Sequence, residues 1–304
     1  MKTEARTTRV SLFTKFLSVT TVIAACAALF ACGGGSGSAP AAAEAPASST
    51  VGSIAVGTFV DGPVAGLAYE SGSQHGLTDV NGTFSYIVGS PITFKVGDIV
   101  LGSTTGAGLI TPINLAGDGS SADSPKVVAT VQFLKTVAID DGAGNLSIPE
   151  SVRTASVGKS IDFAAADATT QVATVASQVA ADKPLASASD SESHMTDSLY
   201  KLAAGTYTGS WVAPASIPSS GTFTVTISST GSMHGIAMLG KTKVDVTSSM
   251  TSKLVSGSTY AITGTVSNGA KWNGTINLYK KTLEGKALYD GVNATFSAKS
   301  SSGD

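Results

Sequence analysis

Tyr207-Thr208-Gly209-Ser210-Trp211, Met233-His234-Gly235-Ile236-Ala237, Ile262-Thr263-Gly264-Thr265-Val266, Trp272-Asn273-Gly274-Thr275-Ile276 and Leu283-Glu284-Gly285-Lys286-Ala287 are five copies of one pattern, apolar-x-Gly-x-apolar. Alternate side chains of a strand share a face. Each copy therefore puts a glycine between two core residues on the inner side. A side chain missing there lets the strand bend sharply, as a small closed or nearly closed sheet requires. Phe223, Val225 and Ile227 alternate in the same way. Residues 205–304 are thus expected to form an antiparallel meander of about eight strands curled into a barrel. Trp211 and Trp272 fall on its core face, and His234, between two core positions, faces outward.

Upstream, over residues 116–204, the period changes. Val127, Val128, Val131, Leu134 and Val137 recur at helical spacing behind Pro125, which a first helical turn tolerates. Val172, Val175 and Val179 form a second stripe after an expected Asp162 cap. Met195, Leu199 and Leu202 form a third, with Ser189–Glu192 as a capping box and Gly205 past the end. Three helices are expected, the last two separated by Pro184.

Residues 51–115 read as short strands cut by turns. Ile54 to Val60 is strand-like, and Asp61-Gly62-Pro63 is a turn. His75 lies in a Gly/Ser loop. Asp79-Val80-Asn81-Gly82 carries a type I′ hairpin signal before the alternating Thr83–Ile87. Ile92 to Val96 and Ile99 to Leu101 continue the pattern. The run Gly57 to Tyr69 (GTFVDGPVAGLAY) with Thr78 to Phe84 (TDVNGTF) resembles the carboxypeptidase-regulatory-like, transthyretin-like β-sandwich. The stretch onward through Phe94–Gly102 and Thr111-Pro112 is similar to an adhesin-like subgroup of bacterial surface lipoproteins. The resemblance covers roughly 60 residues firmly, and it implies an accessory module with no catalytic residues to carry over. The fold class expected is mainly β with a helical middle segment: an N-terminal transthyretin-like β-sandwich, about three helices and a C-terminal barrel.

Before this lies a low-complexity stretch, residues 33–50 (GGGSGSAPAAAEAPASST), which cannot bury enough apolar surface to fold and reads as a disordered tether. Residues 1–31 have the layout of a secretory signal: Lys2, Arg6, Arg9 and Lys15, then the apolar Phe16–Ala31. That apolar run is short for a spanning helix of about 20 residues. Leu29-Phe30-Ala31-Cys32 resembles a lipobox, although Phe30 departs from the small or β-branched residue usual there. Ile23-Ala24-Ala25-Cys26 is a competing match, but it would leave the apolar Ala27–Ala31 on the mature end. Cys32 is taken as the lipidation site, with an uncleaved anchor as the other reading. By the same resemblance, Gly33 after the cysteine implies an outer-membrane lipoprotein, either periplasmic-facing or surface-exposed.

The chain is rich in glycine (34) and poor in charge (13%), which suits a β-rich extracellular protein. Without residues 1–31 it carries 15 basic and 20 acidic residues, a net charge of −5. No basic surplus exists for phosphate contacts, so nucleic acid is not an expected partner. Cys26 and Cys32 are the only cysteines, which leaves the body without a disulfide or a cysteine metal site.

Catalytic signatures are missing. His75, His194 and His234 have no metal-ligand spacing, and no Gly-x-Ser-x-Gly elbow or phosphate-binding glycine loop occurs. Asp140-Asp141-Gly142-Ala143-Gly144-Asn145, followed by Glu150, is the one candidate for a structural calcium. Its spacing departs from an EF-hand, and a plain helix-terminating loop is the preferred reading; no other cofactor is expected.

The function expected is that of a lipid-anchored, non-catalytic cell-envelope protein, a surface binding (adhesin-like) or scaffolding module. Its partners would be the membrane, through the lipid, and an unidentified protein or glycan. One alternative is a periplasmic carrier with a small apolar ligand in the barrel; the interior glycines would either open a cavity or be filled by Trp211 and Trp272. The second alternative is an envelope hydrolase, which a convergent cluster of His, Asp and Ser in the folded chain would revive.

Overall fold

The alternation that begins at Ile54 folds into eight short strands: β1 (Ile54–Phe59), β2 (Val64–Ala65), β3 (Ala68–Ser71), β4 (Gln74–Leu77), β5 (Thr83–Ile87), β6 (Pro91–Val96), β7 (Ile99–Thr105) and β8 (Leu109–Ile110). The middle segment holds α1 (Pro112–Ala116), α2 (Pro125–Val137), β9 (Ile139–Asp140), β10 (Leu146–Ser147), α3 (Glu150–Ala155), α4 (Ala168–Val179) and α5 (Ala188–Ala203). Eight strands follow: β11 (Gly205–Val212), β12 (Ser220–Ile227), β13 (Ser232–Leu239), β14 (Thr242–Ser256), β15 (Thr259–Val266), β16 (Lys271–Asn277), β17 (Thr282–Tyr289) and β18 (Val292–Ser300). This computed structural model describes residues 52–215, 219–289 and 291–301. The expected signal, Cys26, the lipidation site Cys32 and the tether lie outside the described residues.

Seven of the N-terminal strands form two sheets, in the orders β5-β1-β8 and β4-β3-β6-β7, and β2 joins β10 and β9 of the middle segment in a third, β2-β10-β9. Phe59 of β1 and Phe84 of β5 both meet Phe94 of β6, with ring centroids 4.7 Å and 5.1 Å apart. Ile92, Val96, Ile99 and Leu101 belong to this core, which Phe133 of α2 and Val172 and Val175 of α4 extend into the helices.

The expected Asn81-Gly82 hairpin does not form. β4 pairs with β3 and β5 pairs with β1, so the turn passes between two sheets. A type I′ turn needs positive φ at both central residues; Gly82 has it (73°) and Asn81 does not. Asp79 holds the bend instead: its Oδ1 accepts from the amides of Asn81 (2.9 Å) and Thr83 (2.8 Å). Nor does His75 lie in a loop, since it sits exposed in β4.

The three expected helices are α2, α4 and α5, joined by the short α1 and α3. Two of their caps differ from expectation. Asp167 rather than Asp162 precedes α4. Ser187, not Ser189, caps α5, its hydroxyl accepting from the Asp190 amide at 3.0 Å.

The barrel is closed and antiparallel throughout, β18 returning to β11 from Tyr207↔Ser300 to Val212↔Thr295. Each repeat glycine faces inward as expected. Several stand directly across from an aromatic residue: Gly209 from Phe223, Gly264 from Trp272 and Gly285 from Phe296. At Gly264 an added Cβ would come within 2.6 Å of the Trp272 ring, and at Gly209 it would collide with the Ser297 carbonyl of the next strand. The glycines therefore serve close strand approach and make room for rings laid over them.

Candidate functional site: the open end of the barrel

The two ends of the barrel are built differently. At the end where β11 begins, Met195, Leu199 and Ala203 of α5 share one buried core with Tyr207, Tyr260, Ile227 and Met233 of the barrel. The Tyr207 hydroxyl donates to the Ala203 carbonyl of α5 at 2.8 Å, and polar bonds fasten the end of β8 and α1 to the same end of the barrel. The Tyr260 hydroxyl meets that of Thr111 at 3.1 Å, the Asn114 amide donates to the Gly257 carbonyl at 2.5 Å, and the Ser258 hydroxyl donates to the Leu109 carbonyl at 3.1 Å. Burial pushes the Tyr207 hydroxyl up to about 12 and raises Tyr260 further, so both phenols stay neutral.

Nothing among the described residues covers the opposite end. A cavity of about 360 Å³ lies there, lined by Trp211, Ala213, Leu239, Val266, Ala270 and Ala287 among others. Alanines near the strand ends give it width: inward positions that hold large residues deeper in the barrel hold only a methyl group here. Below the mouth, and sharing Trp211, Ala237, Val266 and Ala287 with it, is a chamber of about 70 Å³ between Phe223, Met233, Trp272 and Phe296. All eleven residues lining this chamber are apolar or aromatic. Trp272 and Phe223 stand edge-on to Phe296, with centroids 5.6 Å and 5.8 Å apart. The combined space sits at the low end of the range of about 300–1,000 Å³ for small-molecule sites. It suits a slender or flat apolar group.

Both tryptophans are thus on the inner face, as expected, and they are the only two in the chain. Trp211 donates its indole N–H to the Met238 carbonyl at 3.1 Å. Trp272 is buried and its indole N–H has no hydrogen-bond partner among the described residues. The rings fill the space over the glycines, so the cavity comes from the alanines of the rim.

A second cluster lies where α5 meets the Asp61-Gly62-Pro63 turn. Asp61 is fully buried, and neither carboxylate oxygen has a hydrogen-bond partner among the described residues. His194 Nε2 lies 2.7 Å from the Asp61 backbone carbonyl, to which it donates, and 3.5 Å from Oδ1. One turn on, Ser198 Oγ accepts from the Gly62 amide at 2.9 Å. Burial pushes the Asp61 carboxyl up to about 6, against the opposing pull of His194 and Lys135. His, Asp and Ser converge here, yet His194 and Ser198 both bond to the backbone of the turn. The arrangement clamps the N-terminal sheets to α5.

The Asp140–Asn145 segment forms the β9–β10 hairpin. The Asp141 carboxylate accepts from the Ala143 and Asn145 amides and the Asn145 side chain, and Asp140 accepts from the Gly142 amide. The bonds from the Asn145 side chain and from the Ala143 and Asn145 amides hold the Asp141 carboxyl below its ordinary range. Glu150 begins α3, away from this turn in sequence. Among the described residues no three His, Cys, Asp or Glu side chains are grouped to hold a metal. His234 is exposed on β13. Among the same residues no helix is long and apolar enough to cross a membrane.

The strand alternation placed Trp211 and Trp272 on the right face but did not reveal the mouth. Its signal is a set of inward alanines at strand ends, which reads as ordinary core. The burial of Asp61 was equally hidden, because an Asp-Gly-Pro turn reads as surface. No protein-family model and no curated protein matches this chain.

Proposed function

We propose that this chain is a lipid-anchored, non-catalytic cell-envelope binding protein, and that the open mouth of its barrel is the binding site for a small apolar ligand. The observation that carries the reading is the largely apolar mouth of about 360 Å³ that shares four lining residues with an aromatic chamber, on a barrel plugged at its other end. A cup closed at one end retains an apolar molecule by removing its surface from water, about 25 cal/mol for each Å² buried. The signal-like Phe16–Ala31 and the lipobox-like Leu29–Cys32 support an outer-membrane anchor through Cys32. The facing N-terminal sheets support the transthyretin-like sandwich. Adhesin-like contact through those sheets is the second reading, favoured by Ile54 and Val56, which leave more than half of their surface exposed on β1.

The test uses full-length protein extracted from membranes, with mass spectrometry of its N-terminus to read the lipid on Cys32. Nile red should bind and quench the emission of Trp211 and Trp272. Filling the mouth with Ala287→Phe and Val266→Phe should abolish the quenching in a protein that still unfolds cooperatively. Tryptophan emission indifferent to the dye, in a preparation from which solvent extracts no apolar compound, would sink the reading.

A further inference from the structure

The two halves of the chain beyond the tether carry opposite charge. Residues 52–204 hold seven Lys and Arg against fifteen Asp and Glu. Residues 205–304 hold eight lysines against four acids, a net charge of +4. The ion pairs among the described residues are Lys95–Glu70 and His194–Asp61, so none of the described barrel lysines is ion-paired among them.

Three of these lysines mark the mouth. Lys241 occupies the β13–β14 turn, Lys243 is the second residue of β14 and Lys271 begins β16, all exposed. Lys286 is exposed on the outer wall of β17 nearby. Against them stands Asp245 on β14, whose amide donates to the Ser267 hydroxyl; Asp290, in the β17–β18 turn, lies outside the described residues. A lysine stem can lie along apolar surface while its ammonium stays in water. Lysines at strand ends can therefore turn their heads to the rim of a cup whose floor offers no counter-charge.

We propose that the mouth takes a single-chain anionic amphiphile, its chain in the cup beside Trp211 and its head group among Lys241, Lys243 and Lys271. This rests on the reading of the mouth as a binding site. The chain needs a dry apolar wall, which the alanines, Val266 and Leu239 provide. An anionic head needs water and positive charge, and both are at the rim; burying it in the aromatic chamber would strip it of solvent without a partner. A cationic head would meet like charge, and a neutral one would gain nothing from the lysines.

The experiment titrates the full-length protein with decanoate, decanol and decyltrimethylammonium, below their micellar concentrations, following Trp211 and Trp272 emission. Decanoate should bind about tenfold more tightly than decanol, since a few exposed charge contacts are each worth well under a factor of ten. That advantage should shrink as salt is raised, because rim charges are screened. Replacing Lys241, Lys243 and Lys271 together by Gln should bring decanoate down to decanol. The same change at Lys253, Lys280 and Lys299, at the plugged end, should leave the preference intact. Equal binding of decanoate and decanol by the parent protein, or tighter binding of the cation, overturns the anionic ligand and leaves the binding site standing. Failure of all three to bind removes the site itself.

Discussion

The plugged and open ends of one barrel are made from the same strands, yet they meet different surroundings. At the plugged end, inward positions are large and fully buried, Tyr207, Tyr260 and Ile276 among them, and a helix covers them. At the open end the same inward rows finish in Ala213, Ala270, Ala287 and Ala294, and nothing among the described residues covers them. Stability is therefore concentrated at one end and spare volume at the other. A barrel so divided can leave apolar surface open to a ligand without loosening the structure that holds it.

Truncation at the two ends should break this comparison most visibly. Leu199→Ala, in the plug, is expected to cost about 2–5 kcal/mol, because it opens a cavity that the closed barrel cannot collapse around. Val266→Ala, half-buried at the mouth, should cost about 1 kcal/mol or less. Urea denaturation of both variants measures the difference; similar losses would mean that the plug adds no more than the rim.

The next effect is a pH dependence seated where the Asp61 turn meets the plugging helix. Asp61 has a carboxyl raised to about 6 from an ordinary 3.8. The folded chain therefore keeps a proton that the unfolded chain has released between those values. This group's contribution to stability is full below about pH 4 and is lost as pH rises through about 6, a change of roughly 3 kcal/mol. Asp61→Asn should flatten that slope in denaturation curves across the window. A parent protein whose stability is constant from about pH 4 to 7 would contradict the burial of an ionisable Asp61.

The smallest expected change sharpens the contrast inside the cavity. Trp272→Phe removes an indole N–H that has no partner among the described residues and keeps a ring over Gly264. Thermal stability should therefore stay within about 1 kcal/mol of the parent. Trp211→Phe deletes the bond to the Met238 carbonyl and should be the more costly of the two. The reverse order would show that the Trp272 N–H is engaged.

How much of this was legible depends on the range of the interaction. The glycine repeat announced the barrel because inward-facing position and glycine spacing are properties of a single strand. The stripes at Val127–Val137, Val172–Val179 and Met195–Leu202 announced helices for the same reason. The Asn81-Gly82 turn was misleading: a local preference for positive φ yielded to Asp79, whose carboxylate caps the bend between two sheets. Asp61 was illegible as a buried acid, because its burial comes from α5, more than a hundred residues away. The mouth was illegible too, since an inward alanine looks the same whether a neighbour covers it or water does.

Sequence alone determined the barrel strands, the three long helices, the inward placement of Trp211 and Trp272, and the opposed charges of the two halves. These follow from short-range periodicity and composition, which the chain carries wherever it folds. Tertiary structure decided which end of the barrel would be sealed, that Asp61 and His194 would meet, and that no described residue would cover the alanine rim. Those outcomes depend on contacts between residues far apart in the chain, where packing selects among partners that local pattern leaves equivalent.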